Sequence, residues 1–108
     1  MLEVVLGCGL PTALCTIYDA NYPEPQRHMI VAALALFNDV ITRAAFRRGL
    51  PLIDLRLICD RPEDYANPIE PSETGGAKIA SAIVQTLGIE PSKGYSAVVA
   101  SAKIPRRG

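Results

Sequence analysis

"NPIEPSETGGAKIA", Asn67 to Ala80, is where a proline-bearing loop turns into a helix. Ser72 has the side chain and position of an N-cap, and the spacing predicts a helix from about Glu73 to Leu87 with Ile79, Ile83 and Leu87 on one face. Gly88 and Pro91 then supply the stop. The paired glycines Gly75 and Gly76 at the helix front lack the spacing of a phosphate loop. They are expected instead to let the helix pack closely.

Upstream lies "CDRPEDYANPIEPSE", a long polar loop of the kind that carries function. Before it, "PLIDLRLI" from Pro51 to Ile58 reads as a short apolar strand interrupted by Asp54. "PTALCTIYD", Pro11 to Asp19, is a similar run and fits a strand buried on both faces. Between the two strands, "ANYPEPQR" is a loop, because Pro23 and Pro25 forbid a ladder or a helix interior.

From Arg27 to Arg48 the period becomes helical, with Ile30, Leu34, Phe37, Ile41 and Ala44 predicted on the core face. Gly49 ends this helix, and Arg43, Arg47 and Arg48 lie where its dipole favours cations. "YSAVVASAKI", Tyr95 to Ile104, is a possible third strand.

Strand, helix, strand, helix and strand make the rhythm of a single α/β domain, residues 1–108, with a short parallel sheet. Right-handed crossovers would bring the loops Asp19 to Gln26 and Asp60 to Ser72 to one carboxyl edge, where open α/β sheets bind ligands.

Composition narrows the partners. Eleven basic residues balance eleven acidic ones, so no net field favours nucleic acid or an anionic membrane. The tail pair Arg106 and Arg107 reads as a solvated terminus. No apolar run approaches the roughly 20 residues of a bilayer span, so the chain is not expected to cross a membrane, and "MLEVVLGC" lacks the basic start of a signal. Cys8, Cys15 and Cys59 show no metal or dithiol spacing. They are expected to be inert thiols in a reducing, cytoplasmic setting, with Cys15 buried. The carboxylates Asp60, Glu63, Asp64, Glu70 and Glu73 read as a solvated loop, and the lone His28 as an exposed residue near a helix start. No cofactor or metal is expected.

The order of parts resembles the C-terminal half of an SGNH (GDSL-type) hydrolase over roughly residues 9–87. The likeness rests on "IYD", "FNDVITRAA", "LPLIDLR" and the closing "NPIEPSETGGAKIASAI". That family closes on a block near D-x-x-H-P-[NS]-x-x-G-x-x-x-[IL]-A, and Pro71, Ser72, Gly75, Ile79 and Ala80 match it in register. The resemblance implies a partial flavodoxin-like three-layer α/β/α fold and serine ester hydrolysis of a small-molecule ester.

In the same register Asn67 stands at the family's catalytic aspartate and Glu70 at its catalytic histidine. In a Ser-His-Asp triad the histidine takes the nucleophile's proton and the aspartate orients the imidazole. A carboxylate with an ordinary pKa of about 4.3 is a weak base at neutral pH. The G-D-S and G-x-N-D blocks are absent, and the "ND" of Asn38-Asp39 lies inside the long helix, where packing or a bond to a loop is the ordinary role.

Loss of a triad member lowers turnover by about three to four orders of magnitude or more, so the chain alone is expected to be inactive. Glu70 and Asn67 would face substrate, with Asp19 and Tyr22 on the adjoining loop. Because an incomplete sheet leaves apolar surface uncovered, the expected partner is a second copy or a missing N-terminal half. The contrasting expectation is a non-catalytic binding or assembly module that self-associates. A small flavin- or nucleotide-binding domain is a third reading, opposed by the lack of a glycine-rich loop after the first strand.

Overall fold

A computed structural model describes residues 2–89 and 95–102. Pro91, Ser92, Lys103, Ile104, Arg106 and Arg107 lie outside the described residues. The described chain is a mixed α/β structure with four helices and a three-stranded parallel sheet. In chain order the elements are α1 (Leu2–Gly7), β1 (Leu14–Cys15), α2 (Gln26–Arg47), β2 (Leu52–Ile53), α3 (Leu55–Ile58), a 3-10 turn (Pro62–Asp64), α4 (Glu73–Leu87) and β3 (Val98–Val99). The sheet order is β1-β2-β3, with Leu14 opposite Leu52 and Leu52 opposite Val98.

The strands are shorter than their apolar runs, for a local reason at Asp54. Its carboxylate accepts the Arg56 N–H and caps α3, while the Thr16 hydroxyl donates to that carboxylate and accepts the Leu55 N–H. A capped turn therefore replaces the second half of the strand expected over Pro51 to Ile58. Thr16, 2% exposed, carries this bond from the end of β1.

The two long helices have the expected limits; Ile30, Leu34, Ile41 and Ala44 on α2 and Ile79 on α4 are half-buried as predicted, but the most buried positions are others. On α2 the fully buried residues are Asn38 and Ala45, whereas Phe37 is 63% exposed. Asn38 accepts the Ile17 N–H at 2.7 Å and donates to the Ile17 carbonyl at 2.8 Å, so its amide substitutes for a ladder partner just beyond β1. Two bonds to otherwise unpaired backbone groups fix the rotation of the helix. Phe37 is thereby turned to solvent.

On α4 the buried residues are Gly75, Ala82 and Thr86, with Ile79 half-buried and Leu87 81% exposed. Ala82 packs with Ile53, Leu55, Ile58, Cys59 and Val99 to form the core cluster. Small residues face the sheet because they permit close approach, and the bulky ones remain outside.

That outward surface includes Met29, Leu36, Phe37 and Val40 on α2 and Ile83, Val84 and Leu87 on α4. By length and composition α2 is also a candidate membrane span, contrary to expectation, because isolated polar residues interrupt its apolar sequence without ending the helix. Asp39 and Arg43 on this helix pair at 2.8 Å. Cys15 is exposed at the sheet edge, contrary to expectation, because β1 is an outer strand; Cys59 is buried.

Candidate functional site

The two loops predicted to share an edge are joined there. The Asn21 N–H donates to the Pro68 carbonyl at 2.9 Å, and the Tyr18 hydroxyl donates to the Ile69 carbonyl at 2.7 Å. The rings of Tyr18 and Tyr65 meet at 5.6 Å and 60°, and the Tyr65 hydroxyl donates to the Cys59 carbonyl at 2.7 Å. Burial, ahead of the nearby Cys59 and opposed by a backbone hydrogen bond from Ala20, pushes the Tyr65 phenol far above its ordinary pKa. It acts as a neutral strut between β1 and the following loop.

Asn67 has a structural role in this arrangement. Its side-chain oxygen accepts the N–H groups of Ile69 and Glu70 at 2.9 and 2.8 Å, folding the segment into a turn. The Glu70 carbonyl accepts the Ala66 N–H at 2.9 Å, and its exposed side chain has no hydrogen-bond or ion-pair partner among the described residues. An asparagine whose oxygen is committed twice to its own turn orients no base.

Asp19 and Tyr22 open onto different spaces. Asp19 lines a polar cavity of about 130 Å³ together with Arg27, Arg56, Asp60 and Arg61. Tyr22 lines a larger apolar hollow of about 520 Å³ with Ile30, Leu34 and Ile69. Ala20, with φ of 66°, borders both and holds a left-handed conformation that alanine disfavours. The four residues named from sequence thus share one edge of the sheet without converging on one pocket. His28 stands exposed beside Glu24.

Beneath the turn lies a residue the sequence reading placed in solvent. Asp64 is 0% exposed, and its Oδ2 accepts from the Arg61 N–H and from Lys78 Nζ, both at 3.0 Å. Its Oδ1 lies 2.8 Å from the same ammonium but off the hydrogen-bond direction. Its carbonyl accepts the Ser72 N–H at 2.8 Å, and Ser72 Oγ in turn caps α4 by accepting the Gly75 N–H at 3.1 Å. Nothing in a one-dimensional pattern pairs Asp64 with Lys78. Among the described residues no group of three or more His, Cys, Asp or Glu side chains is placed to hold a metal ion.

Asp54 and Arg56 form a second anchored pair, with Arg56 Nε and Nη2 donating at 2.9 and 2.8 Å. Those bonds hold the Asp54 carboxyl below its ordinary pKa, burial opposes them, and Thr16 adds to the lowering. A lowered folded-state pKa gives stability that is complete above the unfolded value of about 3.9 and is lost as pH falls through the folded one. The denaturation midpoint should therefore fall as pH drops below about 4. Asp54→Asn should be less stable at neutral pH and show a shallower acid limb in urea titrations.

The fold and edge define a class: an open parallel α/β protein whose two carboxyl-end loops are bonded together. Comparison with protein-family models, with curated proteins and with solved structures returns no match.

Proposed function

We propose that this chain is the C-terminal portion of an SGNH-like ester hydrolase, a partial flavodoxin-like fold that supplies the edge of the active site and not its proton-handling groups. The observation that carries this reading is the joining of the Asp19 loop to the turn before α4 through Asn21 to Pro68 and Tyr18 to Ile69. It supports a substrate edge at the place where the family's closing block would put one. The turn, the Ser72 cap and Gly75 are retained because packing requires them. Asn67 and Glu70 have been released from catalysis, and the serine would come from an N-terminal segment encoded upstream of Met1. A cytoplasmic setting belongs to the same reading.

The test has two parts. The purified chain should hydrolyse p-nitrophenyl acetate or butyrate no faster than buffer, and Glu70→Ala should change nothing; a rate that Glu70→Ala abolishes would refute inactivity. The coding sequence preceding Met1 should carry G-D-S and G-x-N-D in frame, and its failure to do so would remove the hydrolase reading.

The bulky outward faces of α2 and α4 favour a second reading, an assembly module that self-associates. Sedimentation should then find a dimer or larger species that Leu36→Glu with Phe37→Glu converts to monomer. A monomeric parent chain excludes self-association.

A further inference from the structure

We propose that the polar cavity at the carboxyl edge binds a small carboxylate through Arg27 and Arg61. Three arginines from separate segments line this space: Arg27 from the first turn of α2, Arg56 from α3, and Arg61 from the following loop. Arg56 is committed to Asp54 through two bonds, and the Asp19 carboxylate attracts it further. Arg27 has no ion pair among the described residues, and Arg61 reaches Glu63 only at 4.0 Å with both side chains exposed.

The free donors are therefore those of Arg27 and Arg61, opposed by Asp60. A planar guanidinium pairs with a carboxylate through two parallel hydrogen bonds. Asp19 and Asp60 on the same walls disfavour a dianion, so a monoanion fits better than phosphate. The volume of about 130 Å³ suits a small acid better than a long acyl chain. Open parallel sheets hold their ligands at this edge. The ester-hydrolase reading is needed only for the source of the ligand, since such an acid is the product of cleaving a short-chain ester.

Amide and arginine side-chain NMR shifts of the full chain, titrated with sodium acetate or propionate against sodium chloride at matched ionic strength, test the site. Expected are saturable shifts at Ala20, Asn21 and the Arg61 N–H groups, and weaker binding of inorganic phosphate. Arg27→Gln with Arg61→Gln should weaken acetate binding by about tenfold or more, whereas Arg43→Gln should leave it unchanged. Shifts that chloride reproduces, tighter binding of phosphate, or a double variant that binds like the parent would overturn the proposal. Because binding needs no turnover, a saturable site in a chain whose upstream coding sequence lacks G-D-S keeps this inference and removes the hydrolase reading. The motif without acetate binding does the reverse.

Discussion

Gly75→Ala is expected to destabilise the fold by about 3 kcal/mol or more, the upper range for overpacking a rigid site. A Cβ at Gly75 would lie 2.0 Å from the Asp64 carbonyl oxygen and 2.9 Å from its carbonyl carbon. Neither atom belongs to a side chain that can swing aside. The Asp64 carbonyl also accepts the Ser72 N–H, so relief by backbone movement would pull apart the α4 cap. Thermal unfolding followed by circular dichroism should show the midpoint lowered by roughly 12 °C or more, taking about 4 °C per kcal/mol for a domain near this size. Gly76→Ala is the matched control, because nothing lies within 4 Å of its added carbon. It should stabilise the helix by about 0.5–1 kcal/mol. Equal behaviour of the two variants would show that the 3-10 turn does not press on α4.

Lys78→Met should cost about 3–5 kcal/mol, because it leaves the fully buried Asp64 carboxylate without its counter-ion. The stem of methionine preserves most of the packing, so the loss reports charge more than volume. Adding Asp64→Asn to Lys78→Met should recover part of it, since a neutral amide can still accept the Arg61 N–H at lower desolvation cost. Chemical denaturation of the four proteins in the double-mutant cycle measures the coupling. Strictly additive effects would mean that Lys78 and Asp64 do not interact. This pair, with Gly75 above it, holds the turn containing Asn67 and Glu70 in position, so both variants should also disturb the joined edge.

The limits of α4 were legible because they depend on neighbours in sequence. Ser72 caps through Gly75, three residues on, and Gly88 follows the last helical turn, as those residue types predict. The ends of α2 and the sharing of one edge by the two loops were legible for similar reasons of period and connection. The buried faces were legible only in part, with Ile30, Leu34, Ile41, Ala44 and Ile79 half-buried as predicted. Ile83, Leu87 and Phe37 have the hydrophobicity of core residues, yet Ala82, Thr86 and Asn38 occupy the interior. Periodicity finds a stripe of apolar residues, whereas packing against a sheet selects by size and by available hydrogen bonds. The site suffered the same ambiguity: Asn67 carries a catalytic register in the motif, and only the surrounding backbone shows that its oxygen is committed to a turn.

The amino-acid sequence by itself determined the order of the three strands and the two long helices, though not the short helices α1 and α3, together with the Ser72 cap and the neutral charge balance, since each is settled within a few residues or by counting. Only the tertiary structure decided that Asn38 completes the β1 edge, that Asp64 is buried against Lys78, and that Asp19 and Tyr22 face separate cavities. Those outcomes depend on groups far apart along the chain, where the energy of a contact exists only once the backbone has brought its partners within a few ångströms.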